Sequence, residues 1–163
     1  IKERLDELGT EISQRYAGKE PVIIGILTGA FVFVADLVRS MKLPVEVDFI
    51  RASSYGTGRT SSGTVKLSPP DALDYVAGRD VIFVEDILET GETLKAVMNL
   101  ARHQGAQSIS SVVLLRKPAS TDTTEKRIQP DFVGFDIGSR FVVGYGLDLD
   151  GKWRHLPYIG CLD

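Results

Sequence analysis

A fourteen-residue stretch in the middle of the chain, from Val81 to Leu94, constrains the fold more than any other part of the sequence. Its first four residues, Val81 to Val84, are apolar and predict a buried strand. Two acidic residues, Glu85 and Asp86, follow at the carboxyl end, and a Thr-Gly turn then leads into a helical pattern. This succession is typical of an α/β protein, in which ligands bind at the carboxyl ends of the strands.

The turn and the acid pair predict two kinds of contact with one ligand. The loop Glu89–Thr93 opens a helix, so its backbone N–H groups and the helix dipole favour a phosphate. Glu85 and Asp86 would repel a phosphate, but carboxylates accept hydrogen bonds from sugar hydroxyls and bind hard cations such as Mg²⁺. Together these features predict a site for a phosphorylated sugar with a metal.

The rest of the chain alternates strands with helices, which predicts a parallel sheet with right-handed crossovers. The predicted helices cover 1–16 and 31–41, and a third carries Leu94, Val97, Met98 and Ala101 inward and ends near Gly105. The predicted core strands are 22–27, 45–52, 80–85, 109–115 and 132–137, with a short strand at 65–67.

The less regular segments predict smaller features. Residues 53–63 are mostly Ser, Thr and Gly, which indicates a mobile loop. A short helix is expected at 121–129, and the segments 141–145 and 158–161 are expected to form short strands of a small flap.

The composition describes one globular domain and argues against several kinds of partner. The chain has 163 residues, of which 43% are apolar, enough for a core. A net charge of −3 gives no footprint for nucleic acid or for an anionic membrane. There is no apolar run of about 18 residues and no recognisable signal peptide. The single cysteine, Cys161, is expected to be buried and fits a reducing compartment such as the cytoplasm.

The stretch Val81–Leu94 resembles the phosphoribosyl-pyrophosphate signature of the type I phosphoribosyltransferases, and its Glu-Asp pair is most similar to the hypoxanthine-guanine branch. The similarity extends from Val22 to Asp163. It implies one phosphoribosyltransferase domain over 1–163, with a parallel sheet flanked by helices on both faces (core about 20–137) and a small hood from the chain ends (about 1–16 and 138–163).

The resemblance also implies a reaction. The 5-phosphoribosyl group of phosphoribosyl pyrophosphate would pass to hypoxanthine or guanine, with Mg²⁺ as cofactor, giving IMP or GMP and pyrophosphate. Members of the family are commonly dimers or tetramers, so a homo-oligomer is implied as well.

At the sugar phosphate, the resemblance assigns Glu85 and Asp86 to the ribose hydroxyls, directly or through Mg²⁺. The residues implied to bind the 5′-phosphate are Thr90, Gly91, Glu92 and Thr93. Glu89 stands where family members usually carry an Asp near N7 of the purine that acts as general acid and base. Glu keeps the carboxylate but reaches one methylene further.

Two further loops match the pyrophosphate end of the family's site. Thr28 and Gly29 follow the first strand and resemble the pyrophosphate loop, although many members carry a basic residue at the position of Thr28. Arg154 would pair with pyrophosphate, a task that suits a guanidinium group. Ser54 and Tyr55 resemble the working residues of the flexible loop that closes over the reaction.

The purine end is implied by the carboxyl-terminal half. Lys117 would donate to the O6 and N7 acceptors of a 6-oxopurine, and Phe141 would stack on its ring. Val142 would offer backbone groups to the base edge, and Asp148 would meet that edge or a metal-bound water. The implied metal residues are Glu85, Asp86 and Asp148.

Two alternatives stay open at this point. A sister transferase that prefers xanthine would carry the same residues, because contacts to the 2-position are expected from backbone carbonyls. A regulator that senses phosphoribosyl pyrophosphate and binds RNA or DNA would keep only the sugar-phosphate half. The charge of −3 and the set Lys117, Phe141, Asp148 and Arg154 favour an enzyme.

Overall fold

The computed structural model describes residues 1–54, 65–69, 71–118 and 127–162 of the chain. The helices are α1 (Lys2–Arg15), α2 (Phe31–Ser40) and α3 (Glu92–His103). The strands are β1 (Val22–Leu27), β2 (Glu46–Ser54), β3 (Val65–Ser68), β4 (Asp80–Leu88), β5 (Ser108–Arg116), β6 (Phe132–Asp136), β7 (Phe141–Val143) and β8 (Gly160–Leu162). Tyr55, the rest of the predicted loop to residue 63, and residues 121–126 of the predicted short helix lie outside the described residues.

Six strands form one sheet in the order β3-β2-β1-β4-β5-β6. All neighbours in it are parallel except β3, which runs antiparallel to β2 at the edge. The predicted parallel sheet is therefore confirmed, with one antiparallel edge strand. The chain moves outward from β1 to β2 and then returns to place β4 on the other side of β1. The carboxyl ends of β1 and β4 thus lie at a topological switch point, where α/β proteins bind their ligands.

Helices cover both faces of the sheet, as the sequence predicts. On one face, apolar residues of α1 and α2 pack with Ile23, Ile82 and Val84. On the other face, Leu94 and the remaining inward residues of α3 pack with neighbouring residues of the same strands, which point the opposite way. No helix in the described part of the chain combines the length and apolarity needed to cross a membrane.

The strand that carries the acid pair is longer than predicted. The sequence indicates a strand that ends at Glu85, whereas β4 continues to Leu88. It does so because β5 is nine residues long and supplies partners as far as the pair Leu88–Arg116. Glu85 and Asp86 therefore lie inside the strand rather than after it, which fixes the directions of both side chains.

A small antiparallel pair of strands, β7 and β8, lies beside the main sheet and confirms the two short strands of the predicted flap. Val142 of β7 and Tyr145 and Leu147 after it join the core on the side of α1 and α2. Helix α1, which the resemblance assigns to the hood, packs into the same core. The prediction that Cys161 is buried is wrong, because it lies exposed in β8, which has a partner strand on one side only.

Candidate functional site

The loop after β1 meets β4 at the switch point. The peptide bond between Leu27 and Thr28 is cis, and Gly29 follows it. A Cβ atom on Gly29 would lie 1.5 Å from Oδ2 of Asp86. Only glycine leaves room for this carboxylate, so the loop and the acid residue form one surface.

The two acids of the pair point in opposite directions. Side chains alternate along a strand, so Glu85 continues the row of Val81 and Phe83, and Asp86 continues the row of Ile82 and Val84. Glu85 faces the side of Arg127, whose charge acts on it. Asp86 faces Gly29 and the charges of Asp148 and Arg154. The two carboxylates therefore serve different parts of the site.

Burial controls the charge of both acids. Glu85 is only 9% exposed, and its Oε2 atom finds no hydrogen-bond donor in the described part of the chain. Burial, and next the charge of Asp86, raise the pKa of Glu85 to about 8. Burial also raises the pKa of Asp86, whose Oδ1 atom accepts the Ile87 N–H at 2.9 Å. The raised pKa values mean that neither buried carboxylate has a full partner for its charge, and a bound cation or sugar hydroxyls would provide one.

The segment after β7 covers the other side of Gly29. A Cβ atom on Gly146, which has a φ of +100°, would lie 2.1 Å from the carbonyl oxygen of Gly29. The Arg154 guanidinium donates to the Gly146 carbonyl at 2.7 Å and pairs with Asp148 at 2.7 Å. The structure thus brings Gly29, Asp86, Asp148 and Arg154 together, and Arg154 supplies the positive charge of this group.

The predicted phosphate loop leads from β4 into α3. Gly91 is the N-cap residue of α3 with a φ of +81°, and it has no side chain with which to cap the helix. The Glu92 N–H donates to Thr90 Oγ1 at 3.4 Å, and Glu92 and Thr93 are partly exposed in the first turn. A helix N-terminus that begins with a bare backbone is suited to an anion.

Glu89 and Lys117 form an ion pair at the end of β4 and β5. The Lys117 Nζ donates to Glu89 Oε1, and the side chains are 13% and 58% exposed, respectively. The Lys117 N–H donates to the Leu88 carbonyl at 3.1 Å. The neighbouring Arg116 points elsewhere and makes two bonds to Asp136, of 2.6 and 2.9 Å. Lys117 is therefore the member of the Arg-Lys pair that lies with Glu89.

The remaining predicted residues lie at the edges of this site or outside the described residues. Phe141 is 49% exposed, which leaves a ring face available, and Val142 is buried beside it in β7. Ser54 is the last residue of β2, at the same edge of the sheet as Thr28. Tyr55 lies outside the described residues.

One residue at the site was missed by sequence reasoning. Arg127 donates to the carbonyl oxygens of Leu88 and Lys117, beside the ion pair. The sequence places it in a polar segment without periodicity, so no pattern there distinguishes it from a surface arginine. The contacts that define it are long-range and become visible only in three dimensions.

The carboxylates do not form a complete protein cage for a metal. No group of three His, Cys, Asp or Glu side chains in the described residues is arranged to hold a metal ion. Mg²⁺ does not require one, because it commonly binds one or two carboxylates, waters and substrate phosphates. Glu85, with its unpartnered Oε2, and Asp86 point to opposite sides of β4, so each could supply one carboxylate in that mode, directly or through a water.

Comparisons with known proteins agree with this geometry. The model of the phosphoribosyl transferase domain family matches residues 1–150. The hypoxanthine-guanine phosphoribosyltransferase of Bacillus subtilis is 43% identical over 162 residues, which are 99% of this chain and 88% of the relative. The bifunctional protein TilS/HprT of Listeria innocua is also 43% identical over 99% of this chain, but the chain spans only 24% of its length.

A solved structure gives the same relationship in three dimensions. A hypoxanthine phosphoribosyltransferase from Staphylococcus aureus superposes with a TM-score of 0.90 at 38% identity, over 99% of this chain and 86% of the other. The family model covers most of the chain, and the Bacillus subtilis relative is covered over most of its own length. This chain therefore belongs to the phosphoribosyl transferase domain family.

Proposed function

We propose that this chain transfers the 5-phosphoribosyl group of phosphoribosyl pyrophosphate to hypoxanthine or guanine, which yields IMP or GMP and pyrophosphate and serves purine salvage. One observation carries the proposal: the end of β4 has different chemistry on its two sides. Asp86, Gly29 and Arg154 lie on one side, and the Glu89–Lys117 ion pair lies on the other. The first group suits a sugar pyrophosphate, and the second suits a 6-oxopurine. The names of the bacterial relatives support the same assignment.

At the sugar end, Asp86 accepts hydrogen bonds from ribose hydroxyls, and the start of α3 receives the 5′-phosphate. Arg154 and the Thr28–Gly29 backbone stabilise the pyrophosphate as the bond between C1′ and oxygen breaks. Glu85 and Asp86, with Asp148 close to Asp86, would hold Mg²⁺ directly or through water, and the ion would add positive charge beside the leaving group.

At the purine end, Lys117 donates to O6, and to N7 once that nitrogen has lost its proton, and Phe141 stacks on the ring. The purine N9 adds to C1′ as pyrophosphate departs, and Glu89 takes the proton that N7 loses. Lys117 must leave Glu89, at least in part, to reach the base, so purine binding exchanges one charge-assisted bond for another. Holding both substrates in line supplies much of the acceleration.

Ser54 and Tyr55 complete the proposal as a lid that excludes water from the reacting atoms. Its support is the position of Ser54 at the carboxyl end of β2, beside β1. We also propose a cytoplasmic location and a homodimer or homotetramer. The oligomer is supported by the apolar side chains of Val47 and Phe49 of β2, which are 45% and 37% exposed. Light scattering on the purified protein measures the oligomeric state.

The decisive experiment measures nucleotide formation from phosphoribosyl pyrophosphate and Mg²⁺ with hypoxanthine, guanine, xanthine or adenine in separate reactions. Rapid product with hypoxanthine or guanine and none with adenine is expected. Product with xanthine alone would identify the sister transferase instead. Binding of phosphoribosyl pyrophosphate without product from any base would identify a non-catalytic sensor.

A substitution of Lys117 tests whether this residue binds the base. Lys117→Met keeps most of the side-chain volume but removes the charge that donates to the base. We expect the KM for the purine to rise about tenfold or more, with a much smaller change in the KM for phosphoribosyl pyrophosphate. Lys2→Met, at an exposed lysine of α1, is the control. An equal change in both KM values would remove Lys117 from the base site.

A further inference from the structure

Arg127 joins the two strand ends that carry the purine end of the site. Its Nη1 donates to the Lys117 carbonyl at 2.5 Å, and its Nη2 donates to the Leu88 carbonyl. The Leu88 carbonyl also accepts the Lys117 N–H at 3.1 Å. One guanidinium therefore holds the peptide that precedes Glu89 and the peptide that follows Lys117.

These bonds continue the sheet beyond its last strand pair. The ladder between β4 and β5 ends at Leu88 and Arg116, one residue before Glu89 and Lys117. Beyond the last hydrogen-bonded pair, the two backbone segments can diverge unless other groups bind them together. The planar fork of an arginine can donate to two carbonyls at once, which a lysine ammonium cannot do with the same fixed geometry.

Arg127 is partly buried, with one atom of its guanidinium fully enclosed. Its Nε atom is buried and has no hydrogen-bond partner in the described part of the chain. Burial, and next the charge of Arg116, lower the pKa of Arg127, whereas the charges of Glu89 and Glu85 raise it. A charged group accepts such desolvation only where other interactions offset it. Here the two carbonyls that accept its hydrogen bonds and the nearby charge of Glu89 do so.

The residue after Arg127 reaches the phosphate loop. The Cγ2 atom of Ile128 lies 2.6 Å from the place a Cβ would occupy on Gly91. Ile128 therefore packs directly on the backbone that begins α3. The short segment Arg127–Ile128 contacts both halves of the site, the ion pair and the phosphate loop, from the same side.

We propose that Arg127 is a positioning residue for the purine end of the site: its two main-chain bonds fix the separation and direction of Glu89 and Lys117 without contact with the substrate. The inference rests on the proposed function for its kinetic consequence. Small displacements of reacting groups are costly, because catalysis depends on alignment. Loss of the fork should therefore impair base binding and turnover more than it impairs sugar-phosphate binding.

Two variants and one control test this role. Arg127→Lys keeps the charge and the aliphatic stem but loses the fork, and Arg127→Gln loses the charge as well. Arg116→Gln is the control, because this neighbouring arginine also makes two bonds, but to the Asp136 side chain outside the site. Calorimetric titration with phosphoribosyl pyrophosphate reports whether each variant retains its fold and its sugar-phosphate half.

The expected kinetic result is a loss of about 10- to 100-fold in kcat/KM for the purine in Arg127→Lys, with Kd for phosphoribosyl pyrophosphate within about threefold of wild type. In a further variant, Arg127→Ala, added methylguanidinium should restore part of the activity that the substitution removes. Arg116→Gln should stay close to wild type. An equal loss for both substrates, or wild-type kinetics in Arg127→Lys, would overturn the proposal.

Hydrogen exchange gives a readout that needs no activity. The Lys117 amide, bonded to Leu88, should exchange about tenfold faster in Arg127→Lys, while amides in the middle of β4 keep their protection. Unchanged protection at Lys117 would overturn the positioning role even if the enzyme were active. If the wild-type protein formed no nucleotide, the proposed function would fail, and this exchange measurement would still decide whether Arg127 holds the two strand ends.

Discussion

Gly29 shows how a single residue shapes the sugar end of the site. The position a Cβ would take is 1.5 Å from Asp86 Oδ2, and the carbonyl of the same residue is covered by Gly146. No side chain fits between the loop and the acid. Contact of this kind cannot be read from sequence, where a glycine after a strand indicates only a turn.

Gly29→Ala should displace Asp86 or the loop, because the added methyl group and the carboxylate cannot occupy the same space. We expect the Kd for phosphoribosyl pyrophosphate, measured by calorimetry, to rise about tenfold or more. Gly138→Ala is the matched control, since a Cβ there would meet no atom within 4 Å. Equal affinities in the two variants would argue against a binding role for this loop.

The second residue-scale prediction concerns Glu89, which departs from the family's Asp. Its longer side chain reaches Lys117, so the carboxylate is held at the purine end in the absence of a base. Glu89→Gln keeps the shape but cannot take a proton, and turnover should fall by about 10²-fold or more with little change in sugar-phosphate affinity.

Glu89→Asp is the companion variant, because it keeps the carboxylate and shortens its reach. It should retain much more turnover than Glu89→Gln in the same steady-state assay. A Gln variant that turns over like wild type would show that the proton goes elsewhere.

Among the helices and strands, those with the strongest hydrophobic periodicity were predicted best. The bounds of β1 and the four buried residues of α3 agree with the sequence, because an uninterrupted apolar run and a helical spacing each allow one interpretation. The predicted end of β4 was wrong, because the length of this strand depends on the pairing with β5 and not on the residues of β4 alone. Arg127 was missed for the same reason: its partners are the last residue of β4 and the residue after β5.

The contact between α1 and α2 gives a prediction at this scale. Gly9 of α1 is buried where the helices cross, and a Cβ there would lie 2.6 Å from the Ser40 carbonyl oxygen. Alanine has the higher helix propensity, so Gly9→Ala would stabilise an isolated helix by about 1 kcal/mol. In the protein we expect a net loss of about 1–3 kcal/mol, because the helices must separate.

Urea unfolding of Gly9→Ala measures that balance. Gln14→Ala, an exposed substitution in the same helix, controls for propensity alone and should change the free energy of unfolding by less than about 0.5 kcal/mol. A Gly9→Ala protein more stable than wild type would mean that the helices tolerate a wider spacing.

On the scale of the whole molecule, the site joins parts that are distant in sequence. The segment after β7 is attached beside α2, where the Tyr145 hydroxyl donates to Asp36 at 2.5 Å, and one residue later Gly146 meets Gly29. The sequence could assign the residues of each loop to a family pattern, but it could not show which loops contact one another. It also could not show that Glu85 is buried within β4.

The burial of Glu85 within β4 should make the stability of the whole protein depend on pH. The pKa of Glu85 rises from 4.5 to about 8 in the folded protein, so between these values the folded state holds a proton that the unfolded chain has lost. The stability from this group is therefore complete below about pH 4.5 and is lost as pH rises through about 8. Asp86, whose pKa is also raised by burial, acts in the same direction.

Urea denaturation of wild type and Glu85→Gln across this range isolates the effect. The free energy of unfolding of wild type should fall by a few kcal/mol between about pH 5 and pH 9, and Glu85→Gln should lose most of that slope. Asp80 and Asp136, whose pKa values are lowered by hydrogen bonds, titrate below this window and do not contribute to it. Affinity for phosphoribosyl pyrophosphate with Mg²⁺ should change in the opposite sense and strengthen with pH, because the ionised carboxylate is the form that binds. If Glu85→Gln showed the wild-type dependence of stability on pH, Glu85 would already be ionised in the free protein, and substrate binding would not be what ionises it.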